Sequence, residues 1–127
     1  MSGLVTAGAV AVAGGLGAAA RHLCDLAATH RWGRGQVRGI LAVNVVGCLF
    51  IGLLAGAVDD HAWARVAVVG LLGGFTTFST SVLQSVELLA GGGVEGAAAP
   101  GRALLHLLGT AGLGVAAAAL GVAASPF

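Results

Sequence analysis

Gly73-Gly74-Phe75-Thr76-Thr77-Phe78-Ser79-Thr80-Ser81 is the stretch whose reading decides the fold. It lies inside an apolar run, residues 62–90, that would otherwise make one helix through a lipid bilayer. Paired glycines followed by hydroxyl side chains interrupt that helix near its middle, because glycine weakens it and Ser and Thr offer the backbone competing hydrogen bonds. In hydrocarbon each unpaired N–H or C=O costs several kcal/mol. A break at that depth therefore persists only where protein, or a cavity holding water or ions, satisfies the freed groups. Such polar interruptions usually line a pathway.

The sequence around this stretch fits a membrane setting. The chain has 127 residues, of which 57% are hydrophobic and 9% charged, with mean hydropathy +0.98. Soluble domains carry roughly 25% charged residues. Four apolar stretches, about residues 4–20, 40–58, 62–90 and 103–124, can each cross ~30 Å of hydrocarbon at ~1.5 Å per residue. The expected fold is an all-α membrane protein, a single four-helix transmembrane domain over residues 1–127 with its third helix broken. These spans take up nearly the whole chain and leave no room for a soluble catalytic domain.

The amino terminus lacks the basic region of a signal peptide and its apolar run leads into Arg21, so it reads as a retained first span. Cys24 and Cys48 are too few and too unlike in setting for a disulfide framework. Gly14, Gly15 and Gly17 in span one, Gly47, Gly52 and Gly56 in span two, and Gly109, Gly112 and Gly114 in span four are candidate helix contacts. Gly52 and Gly56 form a GxxxG pair.

All 6 basic residues are arginine. An even number of spans puts both termini on one side. Arg21, Arg31, Arg34, Arg38 and Arg102 then share the side of the first and third loops, against Arg65 alone on the other. The positive-inside rule places loops one and three in the cytoplasm and both termini outside the cell membrane. Trp32 and Trp63 flank the second span as interfacial anchors, and Asp59, Asp60 and His61 fit a hydrated turn.

Several polar groups at membrane depth carry two readings each. Asn44, near the middle of span two, either glues helices through an interhelical hydrogen bond or presents its NH₂ donors to a pathway. Gly73 and Gly74 permit close crossing of two third spans, and the hydroxyls of Thr76 and Thr77 can cap the broken ends. Arg21 is either a topology anchor or a source of positive field at a vestibule. Phe78 is either packing or, through the positive edge of its ring, an anion contact. Thr77, Ser79, Thr80 and Thr110 are hydroxyl donors. His22, Cys24, Asp25 and His30 match no zinc spacing and read as an interfacial loop.

Three motifs now join these readings. Gly14-Gly15-Leu16-Gly17-Ala18-Ala19-Ala20-Arg21-His22, Val43-Asn44-Val45-Val46-Gly47 and the run from Gly73 to Thr80 resemble, in order and spacing, the signatures of the Fluc/CrcB family of fluoride channels. The resemblance covers essentially the whole chain. It implies a dimer of antiparallel subunits that lets fluoride leave the cytoplasm passively along two narrow pathways at the subunit interface. It also implies a structural Na⁺ at the dimer centre, held by backbone carbonyls matching Gly73 and Thr76. Asn44 and the ring edges of phenylalanines such as Phe78 would line the anion route, with the hydroxyls of Thr77, Ser79, Thr80 and Thr110 as close donors that replace fluoride's water.

The chain departs from that pattern at several places. Ser81 stands where the family usually has a second phenylalanine, Gln84 where an acid is common, Ile40 where threonine is common, and Gly114 where a hydroxyl is usual. His106, Thr110 and Gly114 share one face of the fourth span. These losses beside an intact break, together with the one-sided arginines, suggest a subunit that inserts in one orientation. Its expected partner is a homologous, oppositely oriented subunit in a heterodimer.

Other classes fit less well. A small multidrug transporter needs a membrane-embedded acid in its first span, and this one has neither Asp nor Glu there. A non-conducting membrane scaffold would suit the small-residue faces. No Ser-His-Asp or Cys-His arrangement or phosphate loop has usable spacing for an enzyme, and a net charge of +1 gives no footprint for nucleic acid.

Overall fold

The computed structural model describes residues 2–92 and 97–127, so part of the third loop lies outside the described residues. Four helical segments are long and apolar enough to cross a membrane. Helix α1 (Gly3–Trp32) runs to the glycine-rich turn, where Gly33 and Gly35 take φ of 88° and 77°. Helix α2 (Arg38–Leu54) continues as a 3-10 turn, Ala55–Ala57. The third span is built in pieces: α3 (Ala62–Arg65), a π-helical stretch Val66–Leu72, α4 (Gly73–Phe75) and, after residues 76–78, α5 (Ser79–Leu89). Helix α6 (Pro100–Ala124) starts on a proline at its first turn, where the missing N–H costs nothing.

Helix α1 outlasts its apolar run. Residues 21–32, including Cys24, Asp25 and His30, are helical rather than loop. The charge of Arg21 ends the uninterrupted apolar run, but good helix formers such as Leu26, Ala27 and Ala28 carry the helix on. Only the left-handed Gly33 stops it, with its N–H bonded to Thr29 C=O at 2.8 Å.

The packing is inside-out relative to a soluble protein. Large apolar side chains face outward, Leu105 and Val115 being 73% and 71% exposed. The interior holds small residues and the polar Gln36, Asn44, Ser81, Ser85, His106 and Thr110. This is the profile of a multi-pass membrane protein, in which lipid is as good a solvent for Leu as the core is.

Close backbone approach holds the helices together. A methyl at Gly74 would collide with the Gly14 backbone, and one at Gly17 with Leu71, so α1 lies directly on the third span. A methyl at Gly52 would meet Ala118, and one at Gly121 would meet Leu49, which locks α2 against α6. Gly15, Gly109 and Gly112 have nothing within 4 Å among the described residues, so they make no such contact within the subunit.

Both ends of the bundle are tied. At one end Gln84 Nε2, from within α5, donates to the Gln36 carbonyl at 3.4 Å, which ties the α1–α2 turn to α5. At the other end Ser125 Oγ donates to Leu53 C=O at 2.8 Å, and His61, Trp63 and Phe127 form a ring cluster with centroids 6.0–6.3 Å apart.

Candidate functional site at the break in the third span

The helix stops at Thr76, which turns extended (φ −76°, ψ 156°). Its N–H still reaches Leu72 C=O at 2.9 Å, and its hydroxyl bonds the same carbonyl at 3.0 Å. Beyond it, the freed backbone is taken up by one side chain. Asn44 Oδ1 accepts the Thr77 N–H at 2.8 Å, while Asn44 Nδ2 donates to Thr77 C=O at 2.8 Å and to Ser81 Oγ at 3.1 Å. The amide thus replaces a piece of helix ladder. Gly47, one turn along α2 from Asn44, has no side chain to keep the Thr76 methyl away.

The restart of the helix is also side-chain made. Thr77 Oγ1 accepts the Thr80 N–H at 3.3 Å and lies 3.3 and 3.2 Å from the hydroxyls of Ser79 and Thr80. From α1, Arg21 reaches Gly74 C=O through Nε and Thr80 Oγ1 through Nη1, each at 3.4 Å. Arg21 is therefore drawn to the break itself and does not simply project from the end of a span.

These bonds decide which carbonyls lose their helical donors. In an unbroken helix Gly73 C=O would accept from Thr77 N–H, and Thr76 C=O from Thr80 N–H. Both donors are diverted, one to Asn44 and the other to the Thr77 hydroxyl. Two carbonyls that have lost their helical donors suit a hard cation that takes oxygen ligands. Among the described residues no group of His, Cys, Asp and Glu is gathered to hold a metal.

A groove of about 500 Å³ opens beside the break, between α2, the third span and α6. Asn44, Gly73, Thr76, Thr77, Phe78, Ser81 and Thr110 all line it. Phe78 is 73% exposed. Arg21, Ser79 and Thr80 are not on its wall: Ser79 and Thr80 gather at the Thr77 hydroxyl, and Arg21 reaches Thr80.

The departures from the family pattern have structural roles. Ser81 is 2% exposed and is the hydroxyl partner of Asn44. Ile40, 1% exposed, is among the largest fully buried side chains. A methyl at Gly114 would stand 3.3 Å from Cys48 Sγ. His106 Nδ1 and Thr110 Oγ1 are 3.4 Å apart, while His106 Nε2 and Gln84 Oε1 are buried with no partner among the described residues.

Gln36 and Ser85 were not singled out by the sequence. Gln36 Oε1 accepts the Gly39 N–H at 2.9 Å and its Nε2 donates to Asp25 at 3.0 Å, while Ser85 Oγ donates to Ser81 C=O at 2.8 Å. A signal for Ser85 did exist: Ser81, Ser85 and Leu88 recur at helical spacing and share the buried face of α5. Gln36, in a turn, had none.

The family model described as CrcB-like protein, Camphor Resistance (CrcB), matches residues 8–122. A relative from Rubrobacter xylanophilus, named "Fluoride-specific ion channel FluC 1", is 41% identical over 88% of this chain and 86% of its own length. Another of that name, from Leifsonia xyli subsp. xyli, is 37% identical over 93% of this chain and 90% of its own length. "Fluoride-specific ion channel FluC" of Rhodospirillum centenum is 42% identical, covering 83% of this chain and 86% of its own length. No solved structure matches. By the breadth of these matches, the chain belongs to the CrcB family.

Proposed function

We propose that this chain is one subunit of a fluoride-specific ion channel, through which the anion leaves the cytoplasm passively and its toxicity is relieved. The observation that carries the reading is the groove at the break, where hydrogen-bonding side chains and an exposed phenylalanine line one wall at membrane depth. Fluoride is small and strongly hydrated, so a selective route must replace its water with close donors and not with a wide basic funnel. Thr77, Ser81 and Thr110 supply hydroxyls and Asn44 an amide, while Phe78 offers a positive ring edge. Arg21, with Ser79 and Thr80, contributes positive potential and hydroxyls beside the start of α5. The relatives named as fluoride channels support the choice of ion.

The route is completed by a second subunit. Hydrogen-bonding groups on one wall of a groove are costly to leave against lipid, and an antiparallel partner crossing at the break would cover them and bring a second set of carbonyls to Gly73 and Thr76. A Na⁺ shared between the subunits would satisfy these groups, supplying a fixed positive charge at the dimer centre. The chain inserts with both termini outside, five of its six arginines toward the cytoplasmic side, and pairs with an oppositely oriented homologue.

Purified chain, alone or co-expressed with a homologous subunit of opposite arginine bias, is reconstituted into liposomes and fluoride efflux is read with an electrode. Efflux that requires both subunits is the expected result. Full efflux from this chain alone defeats the heterodimer. Absence of fluoride efflux in every combination, with folded protein present, defeats the channel reading.

A further inference from the structure

A separate cavity of about 470 Å³ opens between α1 and α2. Its walls are apolar, formed by Ala28, Ala42, Val43 and Val46, with Phe75 also on the lining. Arg31, Trp32 and Arg38 line it as well, where α1 ends and α2 begins. The Arg31 and Arg38 guanidiniums lie 6.0 and 5.6 Å from the centre of the Trp32 ring, so one aromatic side chain gathers both cations. Asp25, an acid near this end, accepts from Gln36 and is not on the lining.

We propose that this groove binds an anionic phospholipid, with one acyl chain along α1 and α2 and its phosphate between Arg31 and Arg38. Dimensions and charge argue for this occupant. From Cys24 to Trp32 on α1, and from Arg38 to Val46 on α2, the lining runs roughly 12 Å at ~1.5 Å per residue. That is most of one leaflet's share of a ~30 Å hydrocarbon core. Trp32 marks the headgroup level, where interfacial tryptophans sit. The guanidinium fork matches phosphate geometry, and basic pockets between membrane helices are the usual setting for anionic headgroups. A zwitterionic lipid would carry its own cation into a mouth that already holds two, so net negative charge is selected. The site depends only on the chain spanning a bilayer, and it stands or falls separately from fluoride conduction.

The test measures lipid retention by the purified protein in mild detergent, using native mass spectrometry, with phosphatidylglycerol or phosphatidylcholine added. Selective retention of phosphatidylglycerol is expected. The double variant Arg31→Gln/Arg38→Gln should weaken it about thirty-fold, on ~1 kcal/mol for each arginine near the surface, with phosphatidylcholine unaffected. Arg65→Gln, at the opposite end of the bundle, should leave it intact. Should the double variant fail to fold, Ala42→Phe, which fills the groove, should abolish retention by itself. Equal retention of the two lipids by the unaltered protein overturns the proposal. So does a phosphatidylglycerol preference that survives the variants, or an Ala42→Phe effect on self-association with no effect on lipid, which would assign the groove to a second copy.

Discussion

At the scale of single residues, Asn44 holds the break together. Its amide makes three hydrogen bonds that bridge α2 to Thr77 and Ser81. Asn44→Leu keeps the volume close but leaves the Thr77 N–H and C=O unmatched, at roughly 1–3 kcal/mol for each buried group. The expected outcome is a clearly lowered melting temperature in detergent and a loss of fluoride efflux together. Ser81 separates two accounts of the departures from the family pattern. Read from sequence, Ser81→Phe restores a missing aromatic to a pathway. In the fold Ser81 is 2% exposed and bonded to Asn44 at the edge of the groove, so a phenylalanine loses that bond and must push aside its neighbours or fill the groove, and overpacking costs about 1–3 kcal/mol. Ser81→Phe should therefore destabilise the protein more than Ser81→Ala, and melting curves of the two variants decide the matter.

At the scale of elements, glycine decides which helices touch. Gly74 and Gly14 bring α1 against the third span at the break itself, and no side chain fits between them. Gly74→Ala should push α1 away and carry Arg21 from its contacts with Gly74 and Thr80, lowering thermal stability by an amount typical of overpacking, ~1–3 kcal/mol. Gly15→Ala, one residue from Gly14 but with nothing within 4 Å, should be neutral or stabilising by up to ~1 kcal/mol through helix propensity. A pair of melting measurements tests the contrast, and equal effects would refute the assigned register of α1 on the third span.

At the scale of the whole molecule, the predictions concern topology and the ion. In the proposed topology five of the six arginines lie toward loops one and three and one lies opposite. Cysteine or epitope tags at the two termini should be accessible only from outside the cell. Tags found on both faces would remove the charge-based case for an obligate heteromer. On the proposed sodium-bridged dimer, replacing Na⁺ with a large organic cation should produce a shift to monomer in size-exclusion chromatography. An oligomer indifferent to that exchange would leave the Gly73 and Thr76 carbonyls to be satisfied by protein or water.

Some of this was legible in the residues alone. Hydropathy and length disclosed four spanning helices, because apolar stretches that cross lipid must satisfy their own backbone and have only the helix with which to do so in a chain of this pattern. The Gly-Gly and hydroxyl run likewise announced the break, since local propensity acts over a few residues. Only the tertiary structure decided which side chain closes the break, that Arg21 leans into it, and that Ser81 belongs to the interior. Those outcomes depend on contacts between residues 33–59 positions apart in sequence, such as Asn44 with Thr77 and Arg21 with Thr80. No periodicity within one helix encodes which face of another helix it will meet.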